Sequence, residues 1–387
     1  MSLALPPADP PTYSFPEPEP LKFSAEEQAE IVATVLKLYR REVEQRQTWA
    51  ADHEKYDAMH RGHYSHRANL PWKGAADLHV QMPFWLVDSI NTRQVQGIWS
   101  NIPLVGGEAT EDDDQEGFRN ATAYLKWVLE EMEARSKWSA NSKTRNIHGV
   151  GIGEVNYVRA EHVYRQQVRE GLPGIEVGAD GLPTPTFPKK TVLKREVRYE
   201  GPVIVPLGYD DVVCPINGEN LQPCTVDNPH GADFVIVRQM ESLSLIWKKR
   251  DKIYTNIKTG ELADKQAWID GAPSQDRSTG AADNARRTRQ QDRHEGRQRS
   301  QVTTRTPEAR PNPEFEILKA YLPWEIAGDD GKEEQECILF ISVKPEVFLG
   351  AFRLTDAVYT GRRPFIELHY HKVPGRFYSM GVMEIGK

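Results

Sequence analysis

The sequence predicts an α+β fold: N-terminal helices followed by a mainly antiparallel β region. Three observations predict it. Ser24-Ala25-Glu26-Glu27 opens a run of apolar residues at helical spacing. Helical periodicity of apolar residues persists to His148-Gly149. From Glu154 onward, polar–apolar alternation and Gly/Pro punctuation replace it.

The first helix starts at a capping box, in which Ser24 and Glu27 satisfy each other's orphan amide donors. Ile31, Val35, Leu36 and Leu38 give it an apolar face, and the pattern runs through Trp49 towards Tyr56. A loop carries Arg61, Gly62, Pro71, Trp72 and Gly74. Phe84, Trp85, Val87, Ile90, Val95 and Ile98 predict a second, more buried helix over Met82 to Trp99, stopped at Asn101-Ile102-Pro103. The acids Glu111 to Asp114 complement the dipole of a third helix bearing Tyr124, Trp127, Val128 and Met132. After a break near Ser136, a fourth helical stretch ends at His148-Gly149.

The alternating run Glu154 to Arg159 predicts the first strand. Gly171 to Pro188 reads as a Gly/Pro-rich loop. Strands are expected at about 191–206, 211–214 and 233–240, then a short helix at Leu243 to Lys249 capped by Ser242. Residues 271–311 are polar and Arg-rich, which predicts a mobile excursion. A hairpin is expected around Gly328 to Gly331, with further strands at about 346–353 and 364–370. The expected divisions are therefore a Pro/acidic arm over 1–22, helices over 23–150, β-rich parts over 151–270 and 312–387, and the Arg-rich loop over 271–311 between these last two.

Composition narrows the function. The net charge is −7. A protein that grips nucleic acid by releasing counterions from phosphates is usually basic, so a free-standing DNA binder is disfavoured. No run of about 18 apolar residues occurs, which excludes a membrane-spanning helix. Cys214, Cys224 and Cys337 are too few and too scattered for a disulfide framework, and the expectation is reduced, buried thiols. No P-loop, nucleophile elbow or HExxH motif is present, and Gly149-x-Gly151-x-Gly153 lacks the flanking strand and helix of a dinucleotide site. No cofactor is implied.

Several segments, in order, resemble the large-portal family of tailed bacteriophages. Leu70-Pro71-Trp72-Lys73-Gly74-Ala75-Ala76-Asp77-Leu78 is similar to the family's PW-x-GAAD segment, and a helix ending in Ile98 to Pro103 follows it. Gly149-Val150-Gly151 is similar to its G-x-G approach to the wing sheet. Tyr199-Glu200-Gly201-Pro202, Val205-Pro206, Asp210-Asp211-Val212 and Pro215 are similar to its Y-x-GP, VP, D-V and P pattern. Gly375 to Val382 resembles its G-x-FYG-x-G turn, with Ser379 in place of a glycine.

The resemblance implies a structural, non-enzymatic subunit of the capsid portal vertex. About twelve copies would form a ring in the virion, assembled in the host cytoplasm, through which viral DNA is packaged and ejected without sequence specificity. It also implies contacts with the major capsid protein, the terminase packaging motor and a tail adaptor. The family's stem, clip and crown follow the FYG turn, and here the sequence ends at Lys387. The expectation is that a second polypeptide completes the subunit; the alternative is a chain cut at this point. The residues expected to act as anchors and turns are Trp72, Gly74, Trp85, Trp99, Tyr199, Gly201, Pro202, Tyr378 and Gly381. A head–tail adaptor or other ring-forming virion protein is the second reading, and a metal-dependent hydrolase or nuclease the third.

Sharper sites weigh less. His53, His60, His63 and His66 suggest metal ligands, but three-residue spacing drifts off one helical face and Gly62 weakens the helix; a polar surface loop is the expectation. His369 and His371 share a strand face without a third ligand. No catalytic or metal residue is assigned. Arg286, Arg287, Arg289, Arg293, Arg297 and Arg299 lie in a stretch without aromatics. They are candidate contacts for DNA phosphates or an acidic neighbour, and any nucleic-acid contact there would be blind to sequence.

Overall fold

The structure is a computed structural model. It describes residues 18–62, 81–100, 104, 115–169, 174–177, 183–186, 189–250, 252–258, 268, 314–328 and 331–385. The fold is α+β. Among the described residues five helices come first: α1 (Ala25–Gln45), α2 (Gln47–His60), α3 (Met82–Trp99), α4 (Gln115–Glu131) and α5 (Ala134–His148). Strands follow: β1 (Val150–Arg169), β2 (Gly174–Val177), β3 (Pro183–Thr186), β4 (Lys189–Leu207), β5 (Val212–Val213), β6 (Asn220–Pro223), β7 (Gly231–Ala232) and β8 (Val235–Ser242). Helix α6 (Leu243–Lys249) precedes β9 (Glu314–Gly328), β10 (Gly331–Ser342), β11 (Val347–Arg353) and β12 (Phe365–His369). The main sheet has the order β11-β10-β9-β8-β5, and a second has the order β12-β1-β4.

The chain forms two compact units. The first comprises residues 1–88, 143–152 and 207–387; the second comprises 89–142 and 153–206.

In the first unit the five-stranded sheet is antiparallel and buried on both faces. Alternation along β9 and β10 explains how. Ile317 and Tyr321, with Ile338 and Phe340, point into a core shared with Ile246, Tyr254, Ile257 and Trp268. Leu318, Ala320 and Leu322, with Leu339 and Ile341, point the other way and meet Ile31, Val32, Val35 and Leu36 of α1. The capping box forms as the sequence predicts: the Glu27 amide donates to Ser24 Oγ, and the Ser24 amide to the Glu27 carboxylate. Gly331 pairs with Gly328, which places the expected hairpin.

Four expectations need correction. The first helix does not run unbroken to Tyr56. It breaks at Arg46, whose buried guanidinium turns inward to donate to Val212 O and Tyr378 Oη. Helix α3 is not the more buried one: Val87, Asn91 and Val95, four apart, form its single buried row, whereas Trp85 is 68% exposed. Its apolar residues encircle the helix instead of forming a stripe. The Gly/Pro-rich segment 171–188 contains a paired hairpin, β2 with β3. Cys224 is exposed, unlike buried Cys214 and Cys337. In addition, Ser242 occupies the N-cap of α6 without a side-chain cap bond. The expectations for residues 1–17, Trp72, Gly74, the acids 111–114 and the Arg-rich loop lie outside the described residues.

Candidate functional site

In the second unit, α3, α4 and α5 enclose an open groove of about 700 Å³. Its floor is apolar, built from Val95, Trp99, Leu125 and Leu129; Lys126, Glu130, Glu133 and Arg135 edge it. Beside it Val128, Met132 and Ala134 form a small core with Val203 and Ile204 of β4. Outside that core α4 leaves Tyr124 (53% exposed), Leu125 and Trp127 in solvent. Asn91 Nδ2 donates to Ser139 Oγ. The buried Asn91 Oδ1 and Trp99 Nε1 have no hydrogen-bond partner among the described residues. Tyr124, Leu125 and Trp127 together form an exposed apolar patch beside the groove.

The first unit holds two histidine networks, one around the buried His53 and His148 and one around the half-buried His369. His53 of α2 is 1% exposed, so the expected polar surface loop is wrong for this residue. Its Nδ1 lies 3.0 Å from His148 Nδ1, and His148 Nε2 lies 3.0 Å from Asp57 Oδ1. Trp49, Tyr56 and Tyr209 pack round His53, and His148 stacks on Tyr209 at 3.8 Å. Burial, reinforced by His148, pushes the His53 imidazole down to about 3. Which of the two facing Nδ1 atoms carries the hydrogen depends on the tautomer, and only one of them can. The pair thus has room for one proton in its N···N gap. His63 and His66 lie outside the described residues. His60 closes α2, with its ring beside Phe84. Among the described residues no cluster of three or more His, Cys, Asp or Glu could hold a metal ion.

The second network is Ser379 Oγ–His369 Nδ1 at 2.7 Å, with His369 Nε2 3.3 Å from Glu367 Oε2. These residue types match a nucleophile–base–acid set. However, Ser379 is 2% exposed, and Glu367 Oε1 is spent accepting the Leu221 amide. The arrangement ties β12 to the chain end and offers no hydroxyl to a substrate. His371 is exposed, bridges by backbone to Met380, and does not join it.

The sequence-predicted anchors separate. Tyr378 is half-buried and packs against the first unit's core: it accepts from Arg46, and Trp49 packs on it at 4.5 Å. Burial, with Cys214 nearby, pushes its phenol up. Gly381 sits where a Cβ would meet Ile147 O at 2.5 Å, so it is a close-approach glycine. Tyr199 Oη donates to Pro202 O at 2.6 Å, but Gly201 and Pro202 do not turn the chain, because β4 continues through them to Leu207. Trp99 lines the groove and packs against the Val128–Met132–Ala134 core, whereas Trp85 projects into solvent. Sequence reasoning missed His148, Ser379 as a hydrogen-bonding group, and the groove. His148 next to Gly149, at a helix end, was the only signal for the first.

Among the described residues no helix is long and apolar enough to cross a membrane. No family model matches the chain, and no curated protein matches it.

Proposed function

We propose that this chain is a structural subunit that closes a ring at the portal vertex of a tailed phage and supplies its wing. The single observation that carries the proposal is the apolar face of the second unit, with Tyr124, Leu125 and Trp127 exposed beside an open groove. An isolated soluble chain has little use for such a face; a subunit packed against its neighbours buries it. The order of the portal-like segments, from Pro71-Trp72 to Phe377-Tyr378, supports the choice of ring.

Function on this reading is mechanical. A head-to-tail interface closes into a ring when the rotation per subunit closes. The net charge of −7 disfavours adhesion of DNA and favours its sliding through a central channel. The ring would sit in the virion, in contact with capsid, packaging motor and tail adaptor. The buried Ser379 and the one-proton His53–His148 pair are read as structural.

The test is native mass spectrometry and negative-stain microscopy of the chain co-expressed with the product of its downstream reading frame. A ring of about twelve with a central channel supports the proposal. A chain that stays monomeric in all conditions overturns it.

A further inference from the structure

The second unit carries a two-stranded ribbon. Strands β1 and β4, of 20 and 19 residues, are neighbours in one sheet. The other neighbour of β1 is β12, which has five residues and ends against the start of β1, where the Tyr370 amide donates to Gly149 O. Among the described strands, the outer parts of β1 and β4 therefore have only each other. Neither face is covered there. On β1, Tyr157, Arg159, Val163 and Arg165 share one face and Val158 and His162 the other, and all six are exposed. On β4, Lys194, Glu196 and Arg198 alternate with Leu193 and Val197, again all exposed.

This ribbon is basic in an acidic chain. Residues 157–169 of β1 and 189–198 of β4, taken with the β2–β3 hairpin, contain eight Lys or Arg against three Glu, whereas the whole chain carries −7. Clustered, exposed cations fit a polyanion. The shape narrows the choice. Two paired strands lie about 4.8 Å apart, and the major groove of duplex DNA, about 12 Å wide, admits a two-stranded β-ribbon. The exposed stretch 157–166 runs about 33 Å, close to one duplex turn of about 34 Å. An acidic protein would answer the charge but not this width and length. Val163, Leu193 and Val197, set among the cations, offer base edges no hydrogen bonds, so the contact carries no sequence code.

We infer that the outer β1–β4 ribbon is a sequence-blind contact for duplex DNA, entering the major groove with Arg165, Lys194 and Arg198 on phosphates. The inference goes beyond the ring reading and does not rest on it, because a single chain carries the whole ribbon. Phosphate contacts of this kind are weak at physiological salt and let a protein slide along DNA. The ribbon thus gives an otherwise acidic chain one place to touch DNA without holding it.

The experiment is fluorescence anisotropy of a labelled duplex of about three helical turns, titrated with the full chain at about 50 to 200 mM salt. Each cation on a phosphate adds about −0.9 to the slope of log affinity on log salt. The wild type is expected to show a slope of about −3 or steeper, an affinity loss of roughly fortyfold or more across that range. Replacing Arg165, Lys194 and Arg198 together with Gln should flatten the slope by about 2.7. Replacing Lys37, Lys248 and Lys252 with Gln removes the same charge from exposed positions of the first unit and should leave the slope as in wild type. Circular-dichroism melting within a few degrees of wild type checks that both variants fold. Four outcomes overturn the inference: a wild type that does not bind the duplex at the lowest salt, a ribbon variant that keeps the wild-type slope, a control variant that flattens it equally, or a poly-glutamate peptide of equal charge that displaces the duplex as well as unlabelled duplex does, which assigns the ribbon to an acidic protein. A chain that binds DNA in this way yet stays monomeric overturns the ring reading alone.

Discussion

Replacing His53 with Phe tests the buried histidine pair. His53 is neutral in the folded protein, held down to about 3 by burial and by His148, against about 6.5 in the unfolded chain. The sign follows from proton uptake. Below pH 6.5 the unfolded state binds a proton that the folded state refuses, so His53 contributes stability that is whole above pH 6.5 and is lost as pH falls towards 3. The slope is about 1.4 kcal/mol per pH unit, which makes the loss roughly 2 kcal/mol between pH 6.5 and 5. Asp52, Asp57 and Asp210 face the ring and oppose the shift, and His148 reinforces it. Phe fits among Trp49, Tyr56 and Tyr209, but leaves His148 Nδ1 without its 3.0 Å partner, at a cost of about 1–3 kcal/mol at neutral pH. Urea unfolding at pH 7.5 and pH 5 gives both numbers. His53→Phe is expected to be the less stable protein at pH 7.5 and to lose about 2 kcal/mol less than wild type on going to pH 5. Equal losses in the two proteins would refute the assignment of a neutral, proton-refusing His53.

Three further outcomes follow from the first unit. Gly149→Ala places a Cβ 1.8 Å from Ser379 O at a φ of +85°, and the variant is expected to lose several kcal/mol or to fail to fold, read by thermal melting. Arg363, fully buried, donates to Glu336 and to the carbonyls of Leu221, Ala232 and Asp233; Arg363→Met strands that carboxylate and should cost about 3–5 kcal/mol in urea unfolding. Burial pushes the Cys214 and Cys337 thiols up to about 12, whereas Cys224 is exposed. Brief alkylation of native protein at pH 8 should therefore add one label by mass spectrometry, at Cys224, and three labels only after unfolding.

Much of the fold was legible because local rules were obeyed. The Ser24–Glu27 box, the glycines at 328 and 331, and the alternation of β9 and β10 each act within a few residues. What failed was non-local. Arg46 lies in an uninterrupted helical pattern, yet it breaks the helix to reach carbonyl and phenol groups far along the chain. The apolar run of Met82 to Trp99 has the composition of a buried helix, and only packing shows that one row is covered. His53 looked like part of a polar His-rich segment; its partner, His148, is 95 residues away. The groove was invisible for the same reason, since its lining is assembled from three helices. The long β1–β4 ribbon was half legible: the alternation showed strands, not that their outer apolar residues would stay in water.

The packing of Tyr378 sets a timetable for biosynthesis. Arg46 waits for a partner 332 residues downstream. At about 5–20 residues per second, translation takes roughly 15 to 65 s to supply it. Until then Trp49 lacks one aromatic neighbour, and the Ile147–Gly149 turn lacks the Ser379–Gly381 segment that closes on it. The segments around Arg46 and Tyr378 therefore close the first unit together, late. A ribosome-bound intermediate that stops short of Tyr378 holds Arg46 without its phenol partner.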